Sequence, residues 1–298
     1  RGAHASDSGC TAMPAPSPAA PAAPLSVIDH PRDAAGLTYV YPVVSRRAQG
    51  VSVGINLNVN SACNWQCIYC QVPGLSRGGP PPIDLARLRA ELDAMLTALS
   101  QGDYLQRHVP AGMRHVRDIA LSGNGEPTSA AEFPEVVALI GDVLARHTFP
   151  EPLKIVLISN GSLMHQARVR TGITRMAALR GEVWFKLDRA TPQGLRTVNG
   201  TRMAPSRTQR NLALSCACCP TWVQTCFFAL DGHPPQDDEI EAYLDVLRDA
   251  AGQAHRPAGV VLYGVARPSM QAGAGRISPL PGVWFEALAA RIEALGYA

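Results

Sequence analysis

Hydrophobic and polar residues follow two alternating periods along the chain. Short runs rich in aliphatic residues, such as 117–122 and 153–159, give way to longer segments whose apolar residues recur every three or four positions. The predicted strands are 53–59, 117–122, 153–159, 182–188, 221–229 and 259–265. The predicted helices are 84–100, 129–147, 162–180, 206–217, 237–251 and 282–296. Because a helix follows each strand, the order predicts a parallel sheet with helices outside it.

Three of the predicted helices begin at residues that favour helix N-termini. Asp84 is the predicted N-cap of the first helix. Ser129 with Glu132, and Ser206 with Gln209, have the spacing of a capping box.

The predicted fold class is α/β, and a flavodoxin-like or Rossmann layering is one form it could take. The turn Gly123-Asn124-Gly125 lacks the G-x-G-x-x-G spacing of a dinucleotide-binding loop. Function in parallel α/β folds sits at the carboxyl ends of the strands. We therefore expect the functional residues at that edge of the sheet.

The composition suits a sizeable globular fold. With 298 residues and 46% hydrophobic content, the chain can bury the core of one large α/β domain or two small ones. Residues 1–26 are rich in Ala and Pro, which predicts a disordered lead or a cloning remnant, with 27–298 as a single domain. No segment is predicted to span a membrane, and the expected location is cytoplasmic.

Charge is unevenly distributed along the chain. The net charge of +3 neither favours nor opposes a nucleic-acid partner. Residues 165–210 are strongly basic, whereas 231–249 are acidic. The basic segment is either a surface that meets phosphates or a solvated helix face.

Three cysteines carry the strongest chemical signal. Cys63, Cys67 and Cys70 form a C-x3-C-x2-C motif directly after the first predicted strand. Three thiolates on one loop suit an iron–sulfur cluster in which one iron lacks a protein ligand. An open metal position is typical of a reactive centre. The alternatives are a disulfide cluster, which an intracellular enzyme would not keep, and a structural zinc site, which normally needs a second ligand pair.

This motif resembles the cluster loop of the radical S-adenosylmethionine (radical SAM) superfamily, and the aromatic Tyr69 fits it as well. The resemblance implies a partial (β/α)6 TIM-like barrel of parallel strands with outer helices, which makes 27–298 a radical SAM domain. It implies a 4Fe-4S cluster whose open iron binds the amino and carboxylate groups of S-adenosylmethionine. One electron then cleaves the sulfonium to methionine and a 5′-deoxyadenosyl radical, which takes a hydrogen atom from substrate.

The resemblance continues at the end of the second predicted strand. Gly123-Asn124-Gly125-Glu126 resembles the superfamily's Gly-Gly-Glu motif, with Asn124 as the departure. Glycines let a backbone approach a ligand closely. The resemblance implies that this turn hydrogen-bonds the methionyl amino group. An ordinary turn between a strand and a helix is the alternative.

Further S-adenosylmethionine contacts are implied at the next two strand ends. The candidates are Ser159 and Asn160 after the third strand, and Lys186 and Asp188 after the fourth, together with Tyr69 on the cysteine loop. An acid accepts hydrogen bonds from ribose hydroxyls, and a lysine pairs with a carboxylate. An ion pair between neighbouring strands is the alternative for Lys186 and Asp188.

Two residues are substrate candidates, and four cysteines form a possible second site. Arg267 follows the sixth strand and His233 lies in a turn after the fifth, although a salt bridge and a solvated histidine are the simpler interpretations. Cys216, Cys218, Cys219 and Cys226 could bind a second cluster or be buried structural cysteines. Their spacing favours structural cysteines.

The longer pattern resembles the wyosine-synthase-related (tRNA imidazoguanosine synthase-like) group of radical SAM enzymes. The segments 121–128, 159–161 and 186–188 carry this likeness, which covers roughly residues 39–295. Members of that group rebuild a guanine in tRNA with pyruvate, using extra cysteines and a lysine on the N-terminal side. Here only Cys10 precedes Cys63, and no lysine precedes Lys154. The likeness therefore supports the cofactor chemistry better than the tRNA substrate.

Three functions follow from these residues. The first is a radical SAM enzyme acting on an unidentified substrate, with modified RNA as the leading class and a flavodoxin- or ferredoxin-type reducing partner. The second is a radical SAM enzyme that modifies a peptide or protein. The third is a non-enzymatic module that binds an iron–sulfur cluster.

Overall fold

A seven-stranded sheet is the centre of the molecule. The computed structural model describes residues 16–19, 25–26, 35–45 and 48–297, so most of the predicted lead 1–26 lies outside the described residues. The sheet strands are β1 (Val40–Ser45), β2 (Gly50–Ile55), β5 (Val116–Leu121), β6 (Lys154–Ser159), β7 (Glu182–Lys186), β8 (Thr221–Cys226) and β10 (Gly259–Tyr263). Short two-residue strands lie outside it, namely β3 (Ala62–Cys63), β4 (Ser76–Arg77), β9 (Ala229–Leu230) and β11 (Ile277–Ser278).

The strands lie side by side in the order in which the chain makes them. The order is β1-β2-β5-β6-β7-β8-β10, with β1 antiparallel to β2 and the other six strands parallel. The prediction of a parallel α/β sheet is confirmed. A flavodoxin-like or Rossmann sheet reverses its strand order at a switch point, and this sheet does not. The six parallel carboxyl ends therefore meet along one edge.

The helices connect these strands and cover one face of the sheet. They are α1 (Leu85–Gln101), α2 (Tyr104–His108), α3 (Phe133–Leu144), α4 (Ala167–Ala178), α5 (Pro192–Asn199), α6 (Pro205–Cys218), α7 (Asp237–Ala251) and α8 (Gly282–Glu293). Short 3-10 turns occur at Ala111–Met113, Pro127–Ser129 and Ala274–Arg276. The large apolar core lies between these helices and the sheet. A small cluster around Trp184 and Trp222 fills part of the opposite face.

The first parallel strand ends earlier than its sequence predicts. The prediction was 53–59, but β2 is Gly50–Ile55. Asn56 Oδ1 accepts hydrogen bonds from the backbone N–H groups of Asn58 and Asn124, and Asn58 Nδ2 donates to the carbonyl of Ala62. These amide side chains turn the chain out of the sheet and toward the cysteine motif.

Two predicted helix starts are wrong at the edge that carries the candidate residues. The helix predicted from 129 begins at Phe133, because Glu126 caps a 3-10 turn and Ser129 Oγ donates to the Glu126 carbonyl instead of capping α3. The helix predicted from 162 begins at Ala167, because Asn211 Nδ2 binds the carbonyl oxygens of Gly161 and Ser162. In both places a side chain holds the strand-end turn out of the helix.

The helix caps and the number of elements also differ in part from those predicted. Asp84 caps α1 as predicted, with its side chain accepting from the Arg87 N–H. Ser206 is not the cap of α6, because Ala204 is the N-cap and Pro205 the first helical residue. Helix α5 and strand β1 were not predicted. None of the described helices is long and apolar enough to cross a bilayer.

Candidate metal centre

The cysteine motif forms a loop across the carboxyl edge of the sheet. Cys63 ends β3, which pairs with β4, and a tight turn joins Cys67 to Cys70 through a 2.9 Å backbone hydrogen bond. The loop is tied to α5 by the N–H groups of Gln66 and Ile68, which donate to the carbonyls of Asn199 and Val198. The three thiols therefore lie on a segment that the C-terminal end of α5 holds in place.

A second segment, residues 268–273, crosses the loop at Cys70. The carbonyl oxygen of Cys70 accepts hydrogen bonds from the Met270 N–H (2.9 Å) and Gln271 Nε2 (3.2 Å). Ser269 Oγ donates to the carbonyl of Ile68 at 2.7 Å and lies 3.2 Å from the carbonyl oxygen of Cys70. Gln271 Nε2 also donates to the carbonyl of Val72 at 2.8 Å. These hydrogen bonds fix the backbone orientation of the last cysteine.

Two of the three thiols, those of Cys63 and Cys67, have raised pKa values in the folded chain. Burial raises the pKa of Cys63 to about 12, and burial with the nearby Asp188 charge raises the pKa of Cys67 to about 12. Protein donors already face both sulfurs, with the Trp65 N–H and Asn199 Nδ2 each 3.5 Å from the sulfur of Cys63 and Cys67 respectively. A bound cationic metal would deprotonate such thiols and keep the N–H···S hydrogen bonds.

The three cysteine thiols fit an iron–sulfur cluster better than a disulfide or a structural zinc site. All three cysteines are free, so the loop contains no disulfide. Among the described residues, no three His, Cys, Asp or Glu side chains lie close enough to share one metal ion, which is unfavourable for a structural zinc site. In an iron–sulfur cluster each cysteine binds a different iron, so the thiols need not converge on one point.

Asp188 is the point where the cysteine loop, the sheet and α5 meet. Its side chain is buried, with 1% of the residue exposed. Tyr69 Oη and Asn199 Nδ2 (2.8 Å) donate to Oδ2, and the Cys226 N–H (2.9 Å) donates to Oδ1. Both carboxylate oxygens are engaged by protein groups, so Asp188 holds Tyr69 and Asn199 in register with the strand ends. A direct contact of Asp188 with ribose stays a prediction.

Lys186 lies beside Asp188, and it is two residues after Trp184, on the face of the sheet opposite the helices. Its Nζ is 3.5 Å from Asp188 Oδ1, donates to Tyr263 Oη at 2.6 Å, and lies 5.1 Å from the centroid of the Tyr69 ring. Burial by itself would lower the pKa of Lys186, but the Asp188 carboxylate and Tyr263 outweigh it, so that pKa is raised. Lys186, whose side chain is 15% exposed, is therefore a cation paired with Asp188 at the end of its own strand, and Tyr263 extends the network to β10.

Glu126 organises the ends of β5 and β6. The buried carboxylate accepts hydrogen bonds from Thr128 N–H (3.1 Å), Thr128 Oγ1 (2.6 Å), Ser159 Oγ (2.8 Å) and Asn160 N–H (2.7 Å). Burial raises the pKa of Glu126, while these donors oppose that shift. Asn160 continues the network to the cysteine loop, because its Nδ2 donates to Asn64 Oδ1 at 2.8 Å.

Replacing Glu126 by Gln should destabilise the fold, because the amide nitrogen would face donors that now share a carboxylate. Leaving one such buried donor unsatisfied costs about 1–3 kcal/mol. Urea unfolding would measure the change. Glu135→Gln on the exposed side of α3 is the matched control, and we expect a change within about 0.5 kcal/mol there. Equal stability of the two variants would contradict this assignment.

The glycines of the Gly123-Asn124-Gly125-Glu126 turn are explained by packing. A Cβ atom on Gly123 would collide with Asn56, and one on Gly125 would collide with the carbonyl of Ala62. The turn therefore lies directly against the segment that leads into the cysteine motif. Asn124 Oδ1 is buried and has no hydrogen-bond partner among the described residues, so it is an unsatisfied acceptor.

The substrate candidates lie apart from each other. Arg267 lines a pocket after β10 with Val265 and Ser269, next to the segment that crosses Cys70. His233 is exposed, and its ring and backbone bonds go to Asp231 and Leu230 in the same turn. The structure thus places Arg267 next to the segment that crosses Cys70 and leaves His233 exposed to solvent.

The four later cysteines are separated. Cys216 and Cys218 lie in α6, and Cys219 follows it with its sulfur 3.4 Å from the Gly181 carbonyl. Cys226 is at the far end of β8, and a six-residue strand separates its ends by about 17 Å. These positions favour structural cysteines over a second cluster.

Sequence patterns missed Asn199, which contacts both Cys67 and Asp188. Its helix, α5, carries detectable signals: Thr191 caps Gly194, Pro192 occupies the first turn, and Gly200 ends the helix with a φ of 60°. Those are ordinary helix start and stop residues. The helix has only eight residues, which is shorter than the window of about 11–18 residues over which apolar periodicity is read.

Comparisons with known proteins find solved structures that share the fold of this chain. No protein-family model and no curated protein matches the sequence. Among solved structures, TYW1 with a bound lysine-pyruvate adduct is 15% identical, with a TM-score of 0.55 over 82% of this chain and 73% of that one. The chain has the fold of radical SAM enzymes.

Two further radical SAM structures have the same fold. SuiB from Streptococcus suis, bound to S-adenosylmethionine, is 11% identical with a TM-score of 0.53 over 83% of this chain and 47% of that one. A radical SAM methyltransferase from Sphaerobacter thermophilus is 13% identical with a TM-score of 0.52 over 87% of this chain and 67% of that one. The chain thus spans less than half of SuiB.

Proposed function

We propose that the protein is a radical SAM enzyme. The observation that carries the proposal is the position of Cys63, Cys67 and Cys70, which lie as free thiols on one loop across the carboxyl edge of a sheet with the fold of radical SAM enzymes. The same fold supports a finer proposal, in which the sheet curves into the partial (β/α)6 barrel and residues 27–298 form one radical SAM domain. The likeness to TYW1 is loose support for the wyosine-synthase-related group.

The three cysteines would hold a 4Fe-4S cluster. When bound, the cluster supplies the electron that cleaves S-adenosylmethionine to methionine and a 5′-deoxyadenosyl radical. The protein's part is to orient the thiols: Trp65 and Asn199 donate to the sulfurs, and Ser269, Met270 and Gln271 hold the backbone at Cys70. Hydrogen bonds to cluster sulfurs tune the reduction potential.

S-adenosylmethionine would lie between the cysteine loop and the turn at residues 123–126. The unpartnered Asn124 Oδ1 is an acceptor suited to the methionyl amino group. Glu126, Ser159 and Asn160 would act by shaping this turn, since their polar atoms bind one another. Lys186 and Asp188 would border the ribose and carboxylate side, with Tyr69 fixed between them and the loop.

The substrate proposed first is modified RNA, and a flavodoxin- or ferredoxin-type protein is the proposed electron donor. The basic segment 165–210 supports the RNA class. A peptide substrate is the second candidate, since SuiB, which shares the fold, has also been solved bound to the precursor peptide SuiA. The separation of Cys219 from Cys226 is unfavourable for the extra cluster expected of that class.

Anaerobic reconstitution with iron and sulfide, followed by dithionite and S-adenosylmethionine, tests the proposal. We expect about four irons per chain and slow formation of 5′-deoxyadenosine. About eight irons would indicate that the later cysteines hold a second cluster. A full, reducible cluster without cleavage would overturn the enzyme proposal in favour of a binding module.

A further inference from the structure

The face of the sheet opposite the helices carries an aromatic patch. Trp184 on β7 and Trp222 on β8 are in register on neighbouring strands, and both belong to the apolar cluster of that face. Trp184 is buried and Trp222 is half-buried. Two neighbouring indole rings offer planar apolar surface, against which another planar ring packs favourably.

Gln224 is the polar residue that follows this patch along β8. It is two residues after Trp222, so its side chain lies on the same face of the sheet. Its register partners are Lys186 on β7 and Val261 on β10, and Val261 packs against the tryptophan cluster. Gln224 therefore lies between the aromatic patch and the carboxyl ends of the strands.

The amide oxygen of Gln224 is an unsatisfied acceptor. Only 9% of the residue is exposed, and Oε1 has no hydrogen-bond partner among the described residues. A buried acceptor without a donor lowers stability, and such groups are uncommon away from functional sites. The neighbouring Trp222, Val261 and Tyr263 are only half-buried, so a ligand can approach this face beside the amide.

This position is next to the candidate metal centre. Tyr263 is in register with Cys226, two residues beyond Gln224, which is about 6.6 Å along the strand. The Cys226 N–H donates to Asp188, and Tyr69 of the cysteine loop donates to the same carboxylate. A group bound at Gln224 would therefore lie one layer of side chains away from the residues that hold the cysteine loop.

The charges beside Gln224 favour a neutral ligand. Lys186, its neighbour on β7, lies 3.5 Å from Asp188 Oδ1 and donates to Tyr263 Oη. Val261, its neighbour on β10, carries no charge. Because the lysine is already paired with a carboxylate, the ligand needs an N–H or O–H donor for the amide oxygen rather than a negative charge.

We propose that Gln224 is a specificity-determining residue of the substrate site, and that it accepts a hydrogen bond from a neutral planar ring that carries an N–H or O–H group and lies against Trp184 and Trp222. The donor would satisfy the buried acceptor, and the indole rings would cover the apolar surface of the ring. This inference rests on the proposed function, because it names the substrate chemistry of the same enzyme.

Equilibrium dialysis of the iron-reconstituted protein with indole and with 1-methylindole tests the inference. The two probes share a planar ring and differ in the N–H donor. Gln224→Met removes the acceptor at similar volume, so the ratio of the indole affinity to the 1-methylindole affinity should fall roughly three- to tenfold, the effect of one hydrogen bond. N-acetyltryptophanamide, which carries the same ring on a peptide backbone, distinguishes a peptide source of the ring from a small molecule.

The stability of the protein without a probe separates this role from a structural one. Because Gln224→Met removes an unsatisfied acceptor, the urea midpoint should rise, whereas loss of a structural hydrogen bond would lower it. Thr208→Val is the matched control, since Thr208 on α6 is also buried and its hydroxyl has no partner within the described part of the chain. We expect this variant to keep the wild-type affinity ratio.

Three results would overturn the inference: an unchanged affinity ratio in Gln224→Met, a lower urea midpoint for that variant, or no binding of either probe to the wild type. The affinity for S-adenosylmethionine should stay close to that of the wild type, and a fall would assign Gln224 to the cofactor instead. Formation of 5′-deoxyadenosine with an unchanged ratio would overturn this inference alone. A changed ratio without any cleavage would overturn the proposed function.

Discussion

Replacing Cys67 by alanine is expected to abolish cluster assembly and with it all formation of 5′-deoxyadenosine. Cys67 is the central cysteine of the motif, and its sulfur already accepts a hydrogen bond from Asn199. Two remaining thiols would leave half of a four-iron cluster without protein ligands. Iron content, the brown chromophore and product formation should therefore fall together after anaerobic reconstitution.

Cys218→Ala is the matched control for that experiment. Cys218 lies in α6 on the helical side of the sheet, away from the cysteine loop. We expect this variant to keep about four irons and full cleavage activity, since it retains all three motif cysteines. A brown, fully active Cys67→Ala protein would remove the basis of the cluster assignment.

Replacing Asp188 by asparagine is expected to destabilise the protein by about 3–5 kcal/mol, because Lys186, with only 15% of its side chain exposed, would remain as a cation without its buried anion. The amide would also put a donor where Tyr69, Asn199 and the Cys226 N–H now donate. The affinity for S-adenosylmethionine should fall, while the iron content is spared. Urea unfolding and equilibrium binding measure the two effects separately.

The double variant Asp188→Asn/Lys186→Gln distinguishes pairing from ligand contact. Removing both charges costs less than removing one, so this protein should regain part of the stability lost by Asp188→Asn. If Asp188 also contacts the ribose, the affinity for S-adenosylmethionine should stay low in the double variant. Unchanged affinity in both variants would reject the ribose role, and equal stability of single and double variants would reject the buried pair.

Regular elements of the fold were predictable because their apolar spacing is a local property. The Leu-rich face of α1 has the spacing of a helix, and the aliphatic runs of β5 and β6 are typical of buried strands. Each element can therefore be predicted from its own residues. Errors occurred where a side chain acts on a turn in a way that the apolar pattern does not show. Asn211 delays the start of α4 through contacts 50 and 49 positions away, which no short window of sequence contains. Glu126 delays the start of α3 through local contacts with Thr128 and Ser129, which compete with the capping-box pattern.

By itself, the sequence determined the cysteine motif, the alternation of strands and helices, and the strand ends at which candidate residues lie. These features depend on residue type and short-range spacing. Only the tertiary structure decided what the candidate side chains contact: it pairs Lys186 with Asp188, and it brings Asn199 to Cys67 across 132 positions of the chain. Hydrogen bonds and ion pairs form between atoms that are close in space, and their geometry exists only once the parallel strand ends meet at one edge.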